Sequence, residues 1–194
     1  MREEVYKYID DTLAITILHV AGAQAQTQKI VRKGDSVLVL GADEKSGILC
    51  CYEAKKKVGK SGKVIGLVRS EKNREFLLET GFCNNVVVAD AQDHKEVLNK
   101  VLEVNEGDKV DICINCINAS DTEMSSILTV RDEGTICFFS MDTSFAKAVL
   151  GAKEVGKDLN MIIGNVYTKN HTDITINALR ESEILRNIFK KLYV

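Results

Sequence analysis

The chain has 194 residues, a mass of 21.5 kDa, a formal net charge of −2 and a pI near 6. With 45% hydrophobic and 28% charged residues it carries enough apolar side chain for a core and too much for a disordered chain. The lack of a basic surplus excludes nucleic acid and anionic membrane surfaces as expected partners. No apolar run reaches the roughly 20 residues of a membrane span. The charged start, MREEVYKYIDD, lacks the apolar stretch of a secretory leader, so a cytoplasmic chain is expected.

Taken in chain order, about Glu3 to Val31 reads as one long amphipathic helix. Ser36–Leu40 (SVLVL) reads as a buried strand, followed by a helix from about Ser46 to Val58. Lys63–Val68 is the second strand, with a helix over Lys72–Thr80. Asn85–Val88 is the third, and Asp93 with Glu96 makes a capping box for a helix from His94 to Leu102. Val110–Ile114 is the fourth, and Ser120 with Glu123 predicts another capping box. Thr135–Phe139 is the fifth strand, Ser144 to Glu154 a helix, Leu159–Ile163 the sixth strand, and Thr172 to Leu192 a terminal helix. Short, uniformly apolar, β-branched strands suit a parallel sheet covered on both faces. Strict alternation with helices predicts an α/β fold: a doubly wound, six-stranded parallel sheet of Rossmann type in three αβα layers, with strand order 3-2-1-4-5-6.

Such a sheet binds ligands beyond the carboxyl ends of its strands, where strand order reverses. The segment there after the first strand is GADEKSG, Gly41 to Gly47. Gly41 can make the tight turn, and Gly47 can let the helix pack closely, so that helix amides face a pyrophosphate. Ala42, Lys45 and Ser46 complete the loop. Asp43 and Glu44 are unusual there, because carboxylates repel a pyrophosphate unless they point away. After the second strand, Arg69 and Ser70 stand where an acidic residue would accept from the ribose of NAD. A guanidinium and a hydroxyl suit a 2′-phosphate better, which points to NADP, with Lys72 and Arg74 just beyond. Asp90 and Ala91 after strand three are expected to border the adenine. Asn115, Cys116 and Asn118 after strand four, and Ser140 and Met141 after strand five, are expected along the ribose and nicotinamide.

The six cysteines all sit in or beside apolar runs and read as reduced packing residues. Cys113 and Cys116 match C-x-x-C, but residues three apart on a strand face opposite sides, so neither a metal nor a redox pair is expected. Gly59-Lys60-Ser61 follows a helix instead of a strand and is not a P-loop. The three histidines are scattered, with no metal-ligand spacing, and no catalytic acid, base or nucleophile is assigned.

The run HVAGAQAQTQKIVRKGDSVLVLGADEKSGILCCYEAKKKVGKSGKVIGLVRSE resembles the cofactor-binding half of the medium-chain dehydrogenases, and within them the 3,5-diaminohexanoate dehydrogenases of anaerobic lysine fermentation. The segment from DICINCINASDTEMSSIL to NVYTKNH and the ending ALRESEILRNIFKKLYV carry the same likeness. The resemblance implies NAD(P)-linked oxidative deamination of a small diamino acid to a keto acid and ammonium. It places Gly41, Ala42, Lys45, Ser46 and Gly47 in the phosphate loop and Arg69-Ser70 at the ribose, and it implies NAD more often than NADP. The family loop is richer in glycine where this chain has Asp43 and Glu44. Family members also carry an N-terminal catalytic domain ahead of the segment that opens this chain. Residues 1–35 are therefore expected to be a linking helix and 36–194 the dinucleotide-binding domain. A trimmed chain, a truncated gene and one subunit of a split enzyme all remain open. Expected partners are a diamino acid, a separate N-terminal catalytic polypeptide and a second copy of the chain, paired through an apolar face of the first helix. The alternative is a non-catalytic nucleotide-binding or assembly subunit.

Overall fold

The computed structural model describes residues 11–164 and 166–193. Its strands are β1 (Ser36–Leu40), β2 (Lys63–Val68), β3 (Asn85–Val88), β4 (Val110–Asn115), β5 (Val130–Phe138) and β6 (Asn160–Ile163). They form one all-parallel sheet in the order β3-β2-β1-β4-β5-β6, as the alternation of strands and helices predicts. The helices are α1 (Asp11–Leu18), α2 (Ala21–Ile30), α3 (Lys45–Val58), α4 (Glu71–Glu79), α5 (His94–Val104), α6 (Glu123–Thr129), α7 (Phe145–Val155), α8 (His171–Glu181) and α9 (Glu183–Tyr193).

Each sheet face has its own core. Val37 and Val39 of β1 join one core with Ile48 and Leu49 of α3, Leu77 of α4, Leu179 of α8 and Phe189 of α9. Leu38 and Leu40 join the other with Val97 and Val101 of α5, Ile127 of α6 and Ala148 of α7. This two-sided burial is why the strands read as uninterrupted apolar runs. The alternation also sends Cys113 into the second core and Cys116 into the first. All six cysteines are free and buried. Burial pushes the Cys113 and Cys137 thiols up to about 12. A thiol reagent should therefore leave all six cysteines unmodified in the native chain at neutral pH and modify all six after denaturation. Rapid native labelling of any one would show that this core is open to solvent.

Four local expectations change. Residues 3–10 of the predicted opening helix lie outside the described residues. The rest is broken at His19–Val20, because α1 packs on α8 and α9 while α2 lays its small residues on α3 and α8. The capping box at Ser120 does not form: α6 starts at Glu123 after Thr122, and the Glu123 carboxylate accepts from the Ser144 amide at 2.6 Å instead. Strand β5 begins at Val130, with a register shift that lets residues 131–134 leave the ladder. The terminal helix is interrupted at Ser182, whose Oγ accepts from Leu185 N at 3.1 Å and so starts α9. Among the described residues no helix is long and apolar enough to cross a membrane.

Candidate dinucleotide site

The turn after β1 is built by two glycines. Gly41 has φ +72°, and a Cβ there would lie 2.8 Å from Ile117 Cγ1. Its amide and that of Ala42 both donate to Leu67 O of β2, at 3.1 and 3.0 Å, which pins the turn to the sheet. A Cβ on Gly47 would sit 2.8 Å from Ala42 Cα, so only glycine lets α3 start this close to the end of β1. Glu44 occupies the N-cap of α3 without a capping hydrogen bond from its side chain. The first-turn amides of α3, from Lys45 to Gly47, are thus left without a side-chain cap, an arrangement suited to an anion.

The acids of the loop do not crowd these amides equally. Asp43 Oδ2 accepts from the side-chain amide of Asn73 on α4, so this carboxylate is drawn toward the end of β2. Crowding by protein atoms pushes Glu44 above the usual carboxylate range, adjacent Asp43 adds to the rise, and Arg69 opposes it. Lys45 Nζ lies 4.7 Å from the centre of the Tyr193 ring, and the Tyr193 hydroxyl donates to Asp43 O at 3.4 Å. Burial, followed by the charges of Glu44 and Asp43, pushes Tyr193 up to about 12, so its hydroxyl stays a donor. The last helix therefore braces the loop.

Two cavities lie beyond the carboxyl ends of the strands. One of about 310 Å³ is lined by Gly41, Asp43, Glu44, Arg69, Asn73, Ala91 and Asn118, with Ala89, Ile117 and Ala119 among its other walls. The second, about 300 Å³, is lined by His19, Val20, Ser46, Asn118, Phe139, Ser140, Met141, Gly164 and Val166. Asn118 belongs to both, so together they make one crevice across the β1/β4 reversal.

Gly41, Ser46, Arg69, Ala91, Asn118, Ser140 and Met141 thus line the crevice. Ala42 and Gly47 lie close together behind the turn and line neither cavity. Ser70 is the N-cap of α4, its Oγ accepting from Asn73 N at 3.3 Å. Asp90 accepts from the Gln92 amide at 3.0 Å and is exposed. Asn115 is fully buried: its amide donates to Thr122 Oγ1 (2.9 Å) and Ser126 Oγ (3.1 Å), while Oδ1 accepts from Ile117 N at 3.1 Å. Asn115 thereby holds the loop after β4 in place. Cys116 is buried with its sulfur 3.9 Å from that of Cys50. Sequence reasoning missed His19 and Asn73 as lining residues. The break between α1 and α2 brings His19 to the crevice, and only the three-dimensional approach of α4 to the loop reveals Asn73.

The family model for zinc-binding dehydrogenases matches residues 47–181. The chain is 58% identical over 186 residues to an L-erythro-3,5-diaminohexanoate dehydrogenase of Acetoanaerobium sticklandii, covering 96% of this chain and 54% of that protein. It is 50% identical to the protein of the same name from Fusobacterium nucleatum, covering 97% of this chain and 54% of that one. The chain thus spans about half the length of these curated relatives. A mycobacterial protein solved in complex with NADPH shares the fold, with a TM-score of 0.65 at 15% identity over 88% of this chain and 57% of that one. Among the described residues no group of three or more His, Cys, Asp or Glu is placed to hold a metal ion. On the match of the family model and the fold, the chain belongs to the zinc-binding dehydrogenase family, as the cofactor-binding domain of the medium-chain dehydrogenases.

Proposed function

We propose that this chain is the NAD(P)-binding portion of an oxidoreductase that oxidatively deaminates a small diamino acid of the 3,5-diaminohexanoate type in cytoplasmic lysine breakdown. The observation that carries it is the crevice across the β1/β4 reversal, lined by Gly41 and by Ser46 at the uncapped start of α3. The similarity to the diaminohexanoate dehydrogenases supports the substrate class. In this reading residues 1–35 lead in from a catalytic domain, and 36–194 hold the cofactor.

The residues divide the work by position. The amides of Lys45, Ser46 and Gly47 receive the pyrophosphate, helped by the helix dipole. The corner of Asp43, Arg69, Asn73 and Ala91 receives the adenosine. The second cavity, with Ser46, Asn118, Ser140 and Met141, receives the nicotinamide. When bound, the nicotinamide supplies a two-electron acceptor at its C4, and the protein supplies position and electrostatics. Met141 is 96% exposed, so this end of the crevice has one wall too few to enclose a substrate. A separate N-terminal polypeptide or domain would supply that wall. A second copy is a further proposed partner; the apolar side chains open to solvent include Ile15 on α1, Val149 and Leu150 on α7 and Ile163 on the sheet-edge strand β6.

The test is reconstitution. The chain alone should give no cofactor reduction with 3,5-diaminohexanoate. Addition or fusion of the N-terminal half of the Acetoanaerobium sticklandii relative should restore it. Robust turnover by the chain alone contradicts the half-enzyme reading. A correctly folded fusion without turnover contradicts the substrate assignment and favours a nucleotide-binding assembly subunit.

A further inference from the structure

We propose that Asp43, held by Asn73, is the acceptor for the 2′- and 3′-hydroxyls of the adenosine ribose, and that it makes the site select NAD over NADP. The inference rests on the dinucleotide reading above and adds a specificity-determining residue to it.

The end of β2 carries Arg69 and Ser70, with no acid in the place that would accept from a ribose diol. Read along the chain, this corner therefore looks made for a 2′-phosphate. The structure supplies the acid from another element. Asp43 on the β1–α3 loop reaches across to the side-chain amide of Asn73 in the first turn of α4. That bond fixes one carboxylate oxygen and leaves acceptor capacity on a group that lines the same cavity as Arg69. Glu44 lines it too, so two carboxylates outnumber one guanidinium at this corner.

Neither Lys72 nor Arg74 is among the residues that line the cavity. Arg74 is committed elsewhere: its Nε donates to Val86 O at 3.1 Å and its Nη1 meets Glu71 at 3.2 Å. Ser70 caps α4 and is not among the residues that line the cavity. A 2′-phosphate would place close to two negative charges beside Asp43 and Glu44, a like-charge contact that discriminates strongly. A diol would instead donate to Asp43, and hydrogen bonds to a charged acceptor are the strong ones. Arg69 remains able to stack on the adenine or meet Glu44 without a phosphate to bind.

The experiment titrates the chain with NADH and NADPH separately, reading nucleotide fluorescence. The expected result is NADH binding at least about tenfold tighter, the low end for a hydrogen bond to a charged group. Asp43→Asn should weaken NADH about tenfold and bring the two affinities together. Asn73→Ser, which releases the carboxylate but keeps its charge, should weaken NADH by a smaller factor and leave NADPH unfavoured. Arg69→Ala should leave the preference for NADH intact. Far-ultraviolet circular dichroism confirms that each variant is folded. NADPH binding as tight as NADH in the unaltered chain overturns the proposal while leaving the dinucleotide site standing. So does an unchanged ratio in folded Asp43→Asn. Failure to bind either nucleotide overturns the site itself and the proposal with it.

Discussion

Gly47→Ala should be among the most damaging single-methyl additions in the molecule, lowering stability by about 2–4 kcal/mol. The new Cβ would meet Ala42 Cα and the Gly41 carbonyl carbon, both at 2.8 Å. These are backbone atoms of a turn already tied to β2, so neither can move aside cheaply. The whole of α3 must shift instead, and that helix inserts Ile48, Leu49, Cys50 and Cys51 into the core with no exposed surface. The same shift displaces the amides proposed to hold the pyrophosphate, so nucleotide affinity should fall by tenfold or more along with stability. Gly81→Ala is the control. It has a positive φ, +71°, which Gly47 lacks, but a Cβ there meets nothing within 4 Å. Its cost should be only the backbone strain of about 1 kcal/mol. Urea denaturation separates the two, since a lower midpoint at unchanged slope reports stability alone. Equal midpoints for both variants would show that the close approach of α3 to β1 is not what Gly47 provides.

The second large effect concerns a buried carboxylate away from the crevice. Glu53 of α3 is 2% exposed, and its two oxygens accept from Gln24 Nε2 at 2.9 Å and Gln28 Nε2 at 3.0 Å. Gln24 Oε1 in turn accepts from Thr175 Oγ1 of α8 at 2.9 Å. This chain of polar contacts stitches α2, α3 and α8 together inside an otherwise apolar core. Gln24→Leu removes the middle member and leaves both a buried carboxylate oxygen and a buried hydroxyl without their partner. The expected loss is about 2–5 kcal/mol, the range for leaving two buried polar groups unsatisfied. Gln28→Ala, at a partly exposed position, should cost about 1 kcal/mol. Thermal or urea unfolding gives the ranking, and a Gln24→Leu variant as stable as Gln28→Ala would mean that water reaches Glu53 freely.

The sheet was legible because its signal is local and redundant. SVLVL, KVIGLV and VDICIN are buried on both faces, so they are apolar at all but Ser36, Lys63, Asp111 and Asn115, and the helices between them carry their own caps, such as Asp93 on Glu96 N at 3.0 Å. Strand order then follows from the handedness of parallel crossovers. The elements misplaced by sequence reasoning are those whose limits depend on distant partners. The break at His19–Val20 reflects a change of packing partners, from α8 and α9 for α1 to α3 and α8 for α2, which no local residue pattern announces. The start of α6 depends on Glu123 being drawn to Ser144, twenty-one residues on. The site divides in the same way. Gly41 and Gly47 announce themselves by position between a buried strand and a helix. Asp43 does not, since its direction is set by Asn73, thirty residues away. The chain alone shows an acid in a phosphate loop, and only the fold shows that acid turned toward the end of β2.

A crystal structure of the chain soaked or grown with NAD tests the central claim most directly. The account predicts the pyrophosphate within hydrogen-bond distance of the amides of Ser46 and Gly47, the adenosine between Arg69 and Ala91, and the nicotinamide beside Ser140. Nucleotide bound elsewhere on the sheet, or the Glu44 carboxylate seated against those amides with the nucleotide excluded at saturating concentration, would contradict it.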